Sequence, residues 1–384
     1  MAHMKNALAE ADFTEIADRF ANAGFTVRLP AKGIMQVASA TPDARRLRLL
    51  LSVGVHGDET APIEMFAQLL ERLSQEPHEL QLDLMVAVGN IAAIAQGKRF
   101  IDADLNRLFT NERGELQDTA EAERADVLMR ATASFFKGEG GEKWHLDLHT
   151  AIRKSAYPTF AIVPDVIAER GKAALTAWLG GAGIGAVILN SQLAPTYSAY
   201  TATRFSAIGC TAELGQVGML GHNDLSQFEV TAAALDTMLR TGSTMPFRKA
   251  RPHVFRVAQE LLKRSEDFRL NFDGKTENAD ALATKRPQGG TNLVEEALLL
   301  LTVDLFYFGE EIEVDAKLLG HRAEGGNVFW EARTTIANSW AQELRADAAV
   351  EPHAAGNLLD VGVGGFAKIR DSVDERDLES EEGI

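Results

Sequence analysis

The chain reads as an α/β protein built on a mostly parallel sheet with helices on both faces. Short, continuous apolar runs rich in Leu, Val and Ile alternate with stretches of helical periodicity, the pattern of strands buried on both sides. The apolar runs also end in turn formers directly before a helix restarts. The texture changes beyond Pro246, which bounds the domain.

The first strand is expected over residues 46–55, RLRLLLSVGV, closed by His56-Gly57 and followed by a helix from Ala61 to Leu73. A second strand, 82–88 (LDLMVAV), ends at Gly89-Asn90, and a long helical pattern covers Leu116–Phe136. Strands follow at 144–149 (WHLDLH), 159–163 and 186–189, with a helix at 165–179 between the last two. Residues 208–214 (IGCTAEL) form another strand, and Asn223-Asp224 supply capping oxygens for the next helix. This organisation predicts four parts. Residues 1–45 are an N-terminal extension packing on the domain, 46–245 the α/β domain itself, 246–345 a separate region that opens basic and β-like, and 346–384 an acidic, disordered tail.

The 384 residues include one cysteine, so no intrachain disulfide forms and any metal rests on His and carboxylates. That usage fits a reducing cytoplasm. No apolar run approaches the ~20 residues that cross a bilayer. A net charge of −16 argues against nucleic acid or an anionic membrane as partner. A small anionic substrate is still admissible, since a few arginines can reverse the potential inside one cleft, and a homo-oligomer is left open.

Four segments can carry chemistry. His56-Gly57-Asp58-Glu59 lies where a strand gives way to a helix, and a His and a Glu three apart on a tight turn can converge on Zn²⁺. A turn with solvated polar groups has the same spacing, which recurs at His321 and Glu324. In 144–150, WHLDLHT, alternation puts His145, Asp147 and His149 on one strand face, with His149 at the carboxyl end where sites form. His149 is then the natural third ligand and Asp147 an acceptor that orients a ligand; a half-solvated face is the alternative. Residues 97–109, GKRFIDADLNRLF, offer Arg99, Asn106 and Arg107 to a carboxylate, or form a surface loop with Arg–Asp pairs. Glu213, ending an apolar strand, loses solvation and gains basicity useful for proton transfer; buried structural glutamates look the same. Cys210 reads as a small core residue.

In order along the chain, GVHGDETAPIEM (54–65), GNIAAIAQGKRFIDADLNRLF (89–109), WHLDLHTAIR (144–153) and CTAELGQVGMLGHNDLSQF (210–228) resemble the succinylglutamate desuccinylase/aspartoacylase family of zinc hydrolases. The resemblance implies a zinc carboxypeptidase-like fold: a mixed, largely parallel sheet flanked by helices, with a small C-terminal β-rich domain. It implies one zinc per subunit on His56, Glu59 and His149, with Glu213 as general base and acid. Arg99 would polarise the scissile carbonyl, and Asn106 and Arg107 would hold the amino-acid carboxylate. Arg153, after H-T-A-I, and Arg204, nine residues before Glu213, are implied as further anion contacts.

The activity implied is hydrolysis of N-succinyl-L-glutamate to succinate and L-glutamate, at the end of the succinyl-transfer route of arginine breakdown. An aspartoacylase-like or carboxypeptidase-like hydrolase, and a zinc-containing binding protein without turnover, are the alternatives. The likeness stops near residue 272, and residues 274–384 read as a divergent or frame-altered end.

Overall fold

The computed structural model describes residues 8–41, 43–137, 141–152, 154–191 and 194–256, together with the backbone of 314–322, 328–336 and 367–369. The chain divides into two units, one of Met1–Ile152 with Tyr157–Val254 and one of Arg153–Ala156 with Phe255–Ile384. In the second unit the described strands Val314–Arg322, Val328–Ile336 and Ala367–Ile369 form an antiparallel sheet. Most of the region expected to be divergent, and all of the expected acidic tail except Ala367–Ile369, lie outside the described residues.

The larger sheet is built from β1 (Thr26–Ala31), β2 (Ile34–Ala38), β3 (Arg48–Val53), β4 (Asp83–Val88), β5 (Lys143–Ala151), β6 (Thr159–Pro164), β7 (Ala186–Asn190), β8 (Ile208–Gln216) and β9 (His253–Arg256). Their order is β1-β2-β4-β3-β5-β8-β6-β7-β9. The centre, β4-β3-β5-β8, is parallel, and β6 runs antiparallel to β8, so the sheet is mixed. After β3 the chain moves outward to β4, then returns across β3 to form β5. The crevice at the carboxyl ends of β3 and β5 is therefore the switch point where ligands collect in open α/β sheets.

Helices α1 (Thr14–Asn22), α2 (Thr60–Gln75), α3 (Ile91–Gln96), α4 (Ala120–Phe135), α5 (Glu169–Gly181), α6 (Tyr197–Phe205) and α7 (Glu229–Thr241) cover the sheet. Strand alternation sorts the core into two layers. Leu49, Leu51 and Val53 of β3 and Trp144, Leu146 and Leu148 of β5 join one cluster with Phe66 of α2 and Leu235 of α7. Leu50 of β3 and Met85 of β4 face the other, with Leu128 of α4 and Tyr197 of α6. On this second face β5 presents His145, Asp147 and His149 in place of apolar side chains, all buried.

Several elements differ from the sequence expectation. The pattern over 116–136 is two elements, a 3-10 turn at Gly114–Asp118 and α4, because the Thr119 hydroxyl accepts the Ala122 N–H and starts a new helix. Likewise Asp224 caps a 3-10 turn, Leu225–Phe228, before α7 begins. Helices α1, α3 and α6 and the hairpin of β1 and β2 were not anticipated; the hairpin adds two antiparallel strands to the parallel centre.

Candidate metal centre and hydrolytic site

His56 follows β3 on a turn that only glycine permits at position 57. A Cβ there would lie 2.3 Å from the carbonyl carbon of Ala93 and from the nitrogen of Ile94, both main-chain atoms of α3. The Gly57 N–H donates to the Arg99 carbonyl (3.1 Å), which clips this turn to the 97–109 loop. Glu59 ends the turn at the N-cap position of α2.

His149 reaches the same point from the end of β5, and the donor atoms of His56, Glu59 and His149 converge, all three residues buried. His56 Nδ1 is 2.7 Å from Glu59 Oε1, His149 Nδ1 is 2.9 Å from Glu59 Oε2, and the two Nδ1 atoms are 3.2 Å apart. Ligands bound at 2.0–2.1 Å in a tetrahedron lie about 3.3 Å from one another, so three donors gathered this closely fit a small divalent ion. Each imidazole also has its outer nitrogen on a buried carboxylate: His56 Nε2 on Asp104 Oδ1 (2.9 Å) and His149 Nε2 on Asp147 Oδ2 (3.0 Å). Carboxylates placed in this way orient metal-binding histidines.

The electrostatics are those of a tightly packed charge cluster. Burial opposes a charged His149, but Asp147 and Glu59 outweigh it and raise its pKa well above the usual value. Burial likewise opposes an ionised Glu59, yet His56 and His149 hold it well below the ordinary carboxylate range.

Glu213 is paired in register with His149 on the neighbouring strand β8. Its Oε2 is buried without a hydrogen-bond partner among the described residues, although the residue as a whole is only half-buried. Burial first, and the negative Glu59 second, push its pKa up to about 7. A carboxyl of that kind can take and return a proton near neutral pH. Cys210 on the same strand is fully buried, and burial raises its thiol pKa, so it is packing rather than a nucleophile.

The 97–109 segment is not a solvated surface loop: Asp104 and Asn106 are buried. Arg99 Nη1 donates to Glu59 Oε1 (2.8 Å), at the edge of the cluster. Asn106 Oδ1 accepts the Tyr197 N–H (2.9 Å), and Arg107 Nη1 donates to the Asn106 carbonyl (3.1 Å). Arg153 lies outside the described residues. Arg204 is exposed in the last turn of α6, just before the amino end of β8.

Sequence reasoning missed Asp104 as the His56 partner, although it sits in the D-x-N-R segment. It also missed Glu121, in the first turn of α4, which no motif signals. This buried carboxylate accepts Asn90 Nδ2 (2.9 Å) and the N–H groups of Ile101 (2.7 Å), Asp102 (3.1 Å) and Ala103 (3.2 Å). It thereby fastens the stretch between Arg99 and Asp104.

The fold and site together define an α/β protein whose parallel centre carries a buried His-Glu-His group of metal-binding form beside a glutamate of raised pKa. Residues 45–239 match the succinylglutamate desuccinylase/aspartoacylase catalytic domain, and the chain belongs to that family. A curated relative, the succinylglutamate desuccinylase of Burkholderia lata, is 38% identical over 248 residues, 64% of this chain and 70% of that protein. The enzyme of the same name from Serratia proteamaculans is 37% identical over 259 residues, 67% of this chain and 78% of the relative. Among solved structures, a Vibrio cholerae succinylglutamate desuccinylase superposes with a TM-score of 0.62 at 29% identity, covering 69% of this chain and 77% of that one.

Proposed function

We propose that this chain hydrolyses N-succinyl-L-glutamate to succinate and L-glutamate, as a cytoplasmic zinc enzyme of arginine breakdown, with His56, Glu59 and His149 holding the ion. The observation that carries this reading is Glu213, with its unpartnered Oε2, beside three converged metal-type donors. The names of the relatives supply the acyl group and the amino acid.

Zinc bound there supplies a Lewis acid and water that is nucleophilic near neutral pH. Glu213 takes the proton of the attacking water at a carboxylate oxygen and returns it to the departing amine nitrogen. Proton transfer by a positioned side chain typically contributes ~10²–10⁴ in rate. Arg99, at the cluster edge, turns its guanidinium to the oxygen of the scissile carbonyl; such donors are typically worth ~3–4 kcal/mol in the transition state. Arg107 and the Asn106 amide grip the carboxylate of the glutamate moiety. Arg153 and Arg204 belong to the same proposed set of anion contacts.

The test is succinate release from N-succinyl-L-glutamate by zinc-loaded protein, beside acetate release from N-acetyl-L-aspartate. We expect the first, about one zinc per chain, and loss of turnover in Glu213→Ala. Full activity in a His149→Ala variant, or stoichiometric zinc with neither product formed, would sink the proposal.

A further inference from the structure

Glu59 occupies the N-cap position of α2, where a polar side chain ordinarily accepts a main-chain N–H and fixes the start of a helix. It makes no such bond. Its oxygens go instead to His56, His149, the Arg99 guanidinium and the Thr150 N–H. The first turn of α2 is therefore held by other groups.

The loop after β8 supplies them. Gly218 forms an isolated parallel bridge with Glu59, and its carbonyl accepts the Thr60 hydroxyl (2.7 Å). The Thr60 oxygen in turn accepts Asn223 Nδ2 (2.8 Å), which also donates to Glu64 Oε1 (2.6 Å). The same Glu64 oxygen accepts the Gly221 N–H (2.5 Å). Thr60 and Glu64 are both buried, one at the start of α2 and the other a turn later. Val217 ties the loop to β5 as well, its N–H donating to the Ala151 carbonyl (3.0 Å).

Donors and acceptors match throughout this group. A carbonyl only accepts, so the Thr60 proton goes to Gly218 and a lone pair of the hydroxyl is left for Asn223. The Asn223 amide has two protons for Thr60 and Glu64, and the Met219 carbonyl, a longer contact at 3.2 Å, shares one of them. The amide oxygen lies against Gly218, where a Cβ would come within 2.4 Å of it. Glycine at 218 is what admits the amide. Asn223 itself caps no helix, since the Asp224 carboxylate takes that place.

We infer that Thr60, Glu64 and Asn223 are positioning residues: they clamp the loop from Gly218 to Asn223 onto the first turn of α2, in place of the helix cap that Glu59 forgoes by turning to the metal group. This inference rests on the proposed zinc site, and its tests separate the two.

Zinc affinity, measured by chelator competition, should fall about tenfold in Asn223→Ala and in Thr60→Val, the low end of the ~10–100-fold typical for groups behind a metal ligand. Thr60→Val keeps the shape of the side chain and removes only its hydroxyl, so it reads the clamp even where Asn223→Ala fails to fold. Thermal melting of the metal-free variants checks folding. Thr60→Ser, which restores the hydroxyl, should stay within about threefold of wild type. The route through Glu59 is read in a Glu59→Ala background, where zinc binds more weakly and adding Thr60→Val should change affinity by less than about twofold. A further loss there as large as in wild type, or an equal loss in Thr60→Ser, overturns the inference. Tight wild-type binding matched by folded Asn223→Ala and Thr60→Val would refute the clamp and leave the zinc proposal intact; failure of wild type to bind zinc would refute both.

Discussion

Glu121→Gln isolates how the arginine-bearing loop is held. Each oxygen of Glu121 takes two donors: Oε1 serves Asn90 Nδ2 and the Ile101 N–H, and Oε2 serves the Asp102 and Ala103 N–H groups. Glutamine has one acceptor, so in either orientation its NH₂ group faces two donors. Two bonds to a charged acceptor, typically ~1.5–3 kcal/mol each, are lost, and at least one buried donor is stranded; local shifts recover part of this, leaving an expected cost of ~2–4 kcal/mol. The loop between Arg99 and Asp104 then drifts, and a displacement of about 1 Å can cost ~10²-fold in rate. Urea unfolding and succinate release measure the two effects. Glu123→Gln is the control, because that exposed residue shares the first turn of α4 and its dipole but holds no loop. If Glu121→Gln unfolds within about 0.5 kcal/mol of the control and keeps kcat/KM within threefold, the anchoring argument fails.

Three further outcomes are expected. Ionisation of Glu213 opposes folding because its folded pKa is raised from 4.5 to about 7, so the penalty is absent below about pH 4.5 and complete above about pH 7. Metal-free Glu213→Gln should therefore gain stability over wild type as pH rises from about 5 to about 8, on the order of 1–3 kcal/mol; a pH-independent difference in denaturant titrations contradicts this. Gly57→Ala presses a methyl against the backbone of α3. It should cost roughly 1–3 kcal/mol, like other overpacked sites, and impair zinc retention, as melting and metal analysis will report. Cys210, fully buried, should resist alkylation in the folded protein and react fully in denaturant; rapid native labelling would show that the strand is more open than described.

Much of the central sheet was legible because its strands are nearly pure apolar runs, such as the LLLSV of β3 and the LMVAV of β4. Helix α6 was not. Its sequence, YSAYTATRF, is rich in aromatic and β-branched residues that favour strands. It becomes helical because the Thr196 hydroxyl caps the Ala199 N–H and Tyr197, Ser198, Thr201 and Ala202 bury one face. Without α6, nothing in the residue spacing shows that Arg204 sits in the last turn of a helix.

The sequence by itself determined the α/β class, the chemistry of the four motif segments and the exclusion of sulfur from any metal site, since each depends on residue type and local period. Only the tertiary structure decided which carboxylates stand behind which imidazoles. Asp104 meets His56 across 48 residues, Glu121 holds Ile101 across 20, and Asn223 reaches Thr60 across 163. Strand register and helix packing bring such groups together, and neither is written in the spacing of the residues that meet.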